Sequence, residues 1–155
     1  MNKKLPDSFG KKRIINRNFE DREEEIIRWE VLPVEKDQRI RVRFVSANSD
    51  NRQGIRIAVD AGEGTLTANG VTAKTFILWK DECPEEFEIE CHSEEGYLSV
   101  YNVFEETTWA GLTLRSQMDF SGMILEQTGN VYRYKCNNAK LNQEFDKLVF
   151  EIELL

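Results

Sequence analysis

The chain has 155 residues, 40% hydrophobic and 32% charged, with 28 acids against 21 Lys and Arg for a formal net charge of −7. That length accommodates one domain burying roughly 70% of its unfolded surface without disulfides or a structural metal. The acidity excludes nucleic acid as the main partner, and no apolar run approaches the ~18 residues of a membrane span. Residues 1–7 lack the apolar core of a secretory signal, so a cytoplasmic location is expected. Cys83, Cys91 and Cys136 are odd in number and show no zinc-type spacing, which argues against a disulfide framework and against a structural zinc site. Charge is divided unevenly: residues 1–60 hold 14 bases against 11 acids, and residues 61–155 hold 7 against 17. The first 22 residues, with seven bases against three acids, read as a polar N-terminal arm. Residues 23–155 read as the folded domain.

In chain order, residues 26–31 form a first candidate strand, and residues 33–38 a proline-containing turn. Residues 39–44 alternate with period two, placing Ile40, Val42 and Phe44 inward and Arg39, Arg41 and Arg43 outward. A polar loop over 46–54 leads to Ile55, Ile57 and Val59, which alternate with Arg56 and Ala58. Asp60 to Gly64 is a turn, and the Asn69-Gly70 pair predicts a tight type I′ hairpin, because both residues tolerate positive φ. Strands follow over 75–79, 87–91 and 97–104, the second carrying Glu88 and Glu90 outward. Residues 105–119 read as a loop or a short edge strand, with strands again over 120–127 and 131–136. The chain ends in a long alternating run in which Leu148, Phe150, Ile152 and Leu154 share one face and Lys147, Glu151 and Glu153 the other. Nine or ten short strands without an amphipathic helix predict an all-β, single-domain antiparallel β-sandwich, of which a jelly roll is one form.

Nucleophilic chemistry is limited by the single histidine, His92. Its neighbour Cys91 would point to the opposite face of a strand, and no GxSxG elbow occurs, so no catalytic residue is nominated. Gly62-Glu63-Gly64 lacks the remaining elements of a phosphate loop. Glycoside hydrolysis needs only two carboxylates, and this remains the enzymatic alternative, with no pair nominated. Glu86, Glu88 and Glu90 on one strand, Glu151 and Glu153 on another and the three outward arginines are read as cross-strand ion pairs. The competing reading is an arginine ladder that binds a carboxylate or phosphate ligand.

Aromatic residues supply the binding candidates. With Leu98 and Val100 inward, Tyr97 and Tyr101 face out as a platform for a sugar ring or an apolar partner, with Trp109 contributing from a neighbouring loop. Residues 142–150, Asn-Gln-Glu-Phe-Asp-Lys-Leu-Val-Phe, resemble the D-x-D-F/Y-N/D-D-L/V-V motif of calcium-associated β-sandwich domains in bacterial extracellular proteins. That resemblance implies a calcium site with Asn142, Glu144 and Asp146 as oxygen donors, assisted by Asn137 and Asn138. Lys147 departs from the motif, and its ammonium could take the cation's place. Residues 78–103, with the F-D-x-L-V-F-type final strand, also resemble a group of small uncharacterised bacterial all-β proteins. The expected function is a non-catalytic binding module for a glycan or a protein partner; the alternatives are a carboxylate-dependent hydrolase and a structural subunit of a larger assembly.

Overall fold

In the computed structural model, residues 11–19 and 21–155 are described. They form thirteen strands: β1 (Ile14–Ile15), β2 (Ile27–Pro33), β3 (Asp37–Ala47), β4 (Gln53–Val59), β5 (Thr65–Ala68), β6 (Val71–Ala73), β7 (Thr75–Trp79), β8 (Glu86–His92), β9 (Tyr97–Thr108), β10 (Gly111–Ser116), β11 (Met123–Thr128), β12 (Val131–Cys136) and β13 (Leu148–Leu154). Their order is β6-β5-β8-β3-β13-β12-β11-β2-β9-β4-β7, with β1 added to β2 and β10 to β9. The sheet is antiparallel and nearly closed into a barrel-like shape. Among the described residues there is no α-helix, and no helix is long and apolar enough to cross a membrane.

Strand β2 joins two arcs of this sheet. Its start pairs with the long arc, Ile27 opposite Met123 of β11, while Glu30 to Pro33 pair with Val100 to Tyr97 of β9 in the short arc. Alternation turns Ile40, Val42, Phe44, Phe150 and Ile152 of the long arc inward to meet Ile55, Ile57, Val59, Leu98 and Val100 of the short arc. Each of these side chains is at most 2% exposed, and full burial of one is worth about 1.5–3 kcal/mol. One charged group lies among them. Glu30 is wholly buried, accepts two hydrogen bonds from the Arg13 guanidinium at 2.7 and 3.0 Å and a third from the Tyr134 hydroxyl at 2.8 Å. Tyr134 itself stacks on Phe150 with ring centroids 5.0 Å apart.

Several sequence expectations take definite form. Asn69 and Gly70 have φ of 48° and 78° and close the β5–β6 hairpin. Residues 105–116 are more regular than a loop: β9 continues to Thr108 and returns as β10 through a turn at Gly111, whose φ is 97°. This ribbon is held by a Thr108–Thr113 hydroxyl contact at 3.0 Å and an Arg115–Glu106 ion pair at 3.4 Å. The described part of the N-terminal arm packs on the body, because β1 pairs with β2 and Phe19 is buried with Ile26 and Phe145. Phe145 therefore belongs to this smaller cluster, and the final strand starts only at Leu148.

Candidate binding cleft

The outer face of the short arc carries a depression whose shape follows from register. Tyr101 of β9 lies opposite Arg56 of β4, which lies opposite Ile77 of β7. The next row on the same face is Ser99, Ala58 and Thr75, all small. A large row beside a small row leaves a cavity of about 180 Å³, bounded by Trp29 and Tyr101 and, at its other end, by Ala61 and Gly62. That volume is below the ~300–1,000 Å³ of pockets for drug-sized ligands, so it suits a single ring. Trp29 and Tyr101 are tilted against each other at 30° with centroids 5.0 Å apart.

The end wall is held in an uncommon backbone state. Asp60, Ala61 and Gly62 all have positive φ, at 51°, 53° and 91°. For Ala61 this left-handed conformation costs of order 1–3 kcal/mol and persists only where neighbours enforce it. The enforcing group is the Asp60 carboxylate, 1% exposed, which accepts hydrogen bonds from the Ser93 hydroxyl at 2.7 Å and from the backbone N–H of Glu94, Glu95 and Tyr97 at 2.7, 3.1 and 3.4 Å. Burial alone would raise its pKa, but the Ser93 hydroxyl and these N–H groups outweigh burial and hold the carboxyl below its ordinary value. Asp60 thereby ties the cleft's end wall to the β8–β9 turn.

The sequence-predicted aromatic platform is corrected by this geometry. Leu98 and Val100 do point inward, and Tyr97 and Tyr101 do lie on the opposite face, but they are only 8% and 6% exposed. Trp29 covers Tyr101, and the Tyr97 hydroxyl donates to Glu95 at 3.1 Å; burial, then Glu95, pushes the Tyr97 pKa up to about 12. Trp109 is wholly exposed at the tip of the β9–β10 ribbon, about 40 Å along the strand from Tyr97, so the three residues do not form one site. Of the three, only Tyr101 lines the cleft. Trp29 and Arg56 escaped the sequence reading. Arg56 carried a signal: it alternates outward as Arg39, Arg41 and Arg43 do, but without a matching run of glutamates.

The three arginines of β3 are consumed by neighbours. Arg39 pairs with Glu88 at 2.6 Å, Arg41 with Glu153 at 2.8 Å, and Arg43 with Glu151, which also takes Arg133 at 2.8 Å. The ion-pair reading of this face therefore stands against the ligand-ladder reading.

The calcium-like loop is put together differently from its motif. Asp146 accepts a hydrogen bond from Asn48 at 2.7 Å and has the Lys147 ammonium 3.4 Å away; Asn48, then Lys147, holds its pKa below the ordinary value. Asn142 and Glu144 are exposed, and the Asn137 carboxamide is spent on Phe120, Lys140 and Gly122. Among the described residues no three His, Cys, Asp or Glu side chains are grouped to hold a metal. The donor set fits a lysine-bridged structural loop better than a divalent cation, because Asp146, less exposed than Glu144, already faces an ammonium.

No protein-family model matches the chain, and no curated protein is significantly similar to it.

Proposed function

We propose that this protein is a non-catalytic β-sandwich binding module that takes one ring of a glycan in the Trp29–Tyr101 cleft. The observation that carries this reading is a tilted aromatic pair beside a floor of small hydroxyl-bearing and methyl side chains, closed by a strained turn that Asp60 holds in place. Aromatic walls give a sugar ring an apolar face to pack on, and Ser99 and Thr75 supply hydroxyls. Catalysis by paired carboxyls has less support. The carboxyls with displaced pKa values, Asp60, Asp146 and Glu151, are all shifted down, the opposite of what a general acid needs. A cytoplasmic setting accords with three cysteines that are all free thiols.

The test is a glycan array probed with the folded chain, followed by titration of any hit using tryptophan fluorescence. Ala58→Leu fills the cleft from outside the core and should abolish binding without lowering Tm. A blank array from a correctly folded protein, or binding untouched by Ala58→Leu, overturns the proposal.

A second reading, a subunit of a larger assembly, rests on the β9–β10 ribbon. Its polar face is internally paired, while Leu112 and Leu114 are 73% and 45% exposed near the wholly exposed Trp109. Light scattering at high concentration tests it, and a strict monomer removes it.

A further inference from the structure

Resting on the reading of the cleft as a glycan site, we infer that its ligand is an acidic sugar whose carboxylate is held by Arg56. Two independent observations carry this. Among the described residues, Arg56 has no carboxylate within ion-pair distance, although acids outnumber bases in the chain by 28 to 21. Its cross-strand neighbours are Tyr101 and Ile77, neither of them anionic, whereas the sheet-face arginines of β3 each meet a glutamate. Arg56 is exposed and lines the cleft, and a guanidinium fork matches a carboxylate in two parallel hydrogen bonds.

The second observation is the charge of the cavity's lining. Among the described residues, no carboxylate lines the cavity. Its polar side chains include Arg56 and the Ser99 and Thr75 hydroxyls, the Ser99 hydroxyl donating to the Ala58 carbonyl at 3.5 Å. A neutral sugar presents hydroxyls that donate as well as accept, so a site for it profits from carboxylates. A wall that offers a cation and no carboxylate instead favours an anionic ligand, which a uronic acid ring provides. One ring also agrees with the cavity of about 180 Å³. The carboxylate would sit at the Arg56 end, with the ring over Ser99 and Ala58 and against the Trp29–Tyr101 pair.

The experiment is calorimetric titration of the full chain with methyl glucuronide and, separately, methyl glucoside, in the wild type, Arg56→Gln and Arg56→Lys. The wild type should bind the uronide about tenfold more tightly, the factor that one charge-assisted contact supplies. Arg56→Gln should erase that advantage, so that the variant binds the two sugars equally, and Arg56→Lys should retain part of it because charge remains while the fork is lost. Equal affinity for the two sugars, or a uronide preference that survives Arg56→Gln, overturns the inference and leaves the glycan reading standing. Binding of neither sugar, with the array also blank, overturns both.

Discussion

The outer faces of the two arcs use arginine in opposite ways. Across the long arc, Glu86, Arg43, Glu151, Arg133 and Glu126 follow one another in register on β8, β3, β13, β12 and β11, so the charge alternates from strand to strand. Every charge there has a neighbour of opposite sign, and the face is electrostatically complete. Across the short arc the corresponding row is Tyr101, Arg56 and Ile77, with a row of small residues beside it. That face is incomplete: among the described residues it has a cavity, a guanidinium without a carboxylate and a buried indole N–H without an acceptor. A residue type therefore says little by itself. What its register partners leave unsatisfied says much more.

The largest effect is expected where the arcs meet. Arg13→Ala leaves Glu30 wholly buried beside Tyr134 without its cation, and an uncompensated buried charge costs about 3–5 kcal/mol. Urea denaturation should show that loss, and adding Glu30→Gln should recover part of it because the orphaned charge is gone. A loss below about 1 kcal/mol would mean that the carboxylate finds other solvation, and that the junction contributes little to either face.

Next comes the end wall of the cleft. Asp60→Asn exchanges a carboxylate that accepts from Ser93 and from the Glu94, Glu95 and Tyr97 N–H groups for a neutral amide, at about 1.5–3 kcal/mol. The sign of the pH dependence follows from the depressed pKa. The contribution is present above the unfolded-state value of about 3.9 and is lost as pH falls through the lower folded value, since the unfolded chain then binds the proton first. The wild type should therefore lose stability on acidification below about pH 4, and Asp60→Asn should lose less. Equal acid limbs would remove Asp60 as the anchor of the turn.

Much of the fold was legible because alternation is a local signal. Ile40, Val42 and Phe44, and Leu148, Phe150 and Ile152, fall inward as their period-two spacing requires. Asn69-Gly70 marks its hairpin by backbone tolerance alone. The strand order was not legible, because it depends on which alternating run meets which, and the pairing of β3 with both β8 and β13 joins segments far apart in the chain. The cleft failed to appear for a related reason. Alternation gives the face of Tyr97 and Tyr101 but not what covers it, and Trp29 arrives over Tyr101 from β2, 72 positions earlier in the sequence. The turn at Asp60 reads as an ordinary polar turn, since the groups that its carboxylate binds lie beyond β8.

A smaller effect should separate the two faces. Glu151→Gln removes the acceptor shared by Arg43 and Arg133, and the side chain is only 13% exposed. Burial would raise the Glu151 pKa, but the two arginines outweigh it and hold it below its ordinary value, so this group also stabilises the fold more at neutral than at acid pH. The expected cost is about 1 kcal/mol, since such partly exposed pairs are worth little individually. Ligand binding should be unchanged.

The smallest stability effect is the most decisive for the comparison. Arg56→Gln removes an exposed cation that meets no carboxylate among the described residues, so folding has nothing to lose and Tm should move by no more than a change within about 0.5 kcal/mol implies. Arg43→Gln, on the complete face, breaks a pair with Glu151 and leaves that largely buried carboxylate with Arg133 alone, so it should cost more in stability and nothing in binding. Melting and uronide titration of the two variants side by side form a crossed experiment: stability should fall only for Arg43→Gln, and affinity only for Arg56→Gln. If Arg56→Gln instead destabilised the fold as much as Arg43→Gln, the guanidinium would be packing against Tyr101 and Ile77 as part of the structure, and the short arc would be as complete a face as the long one.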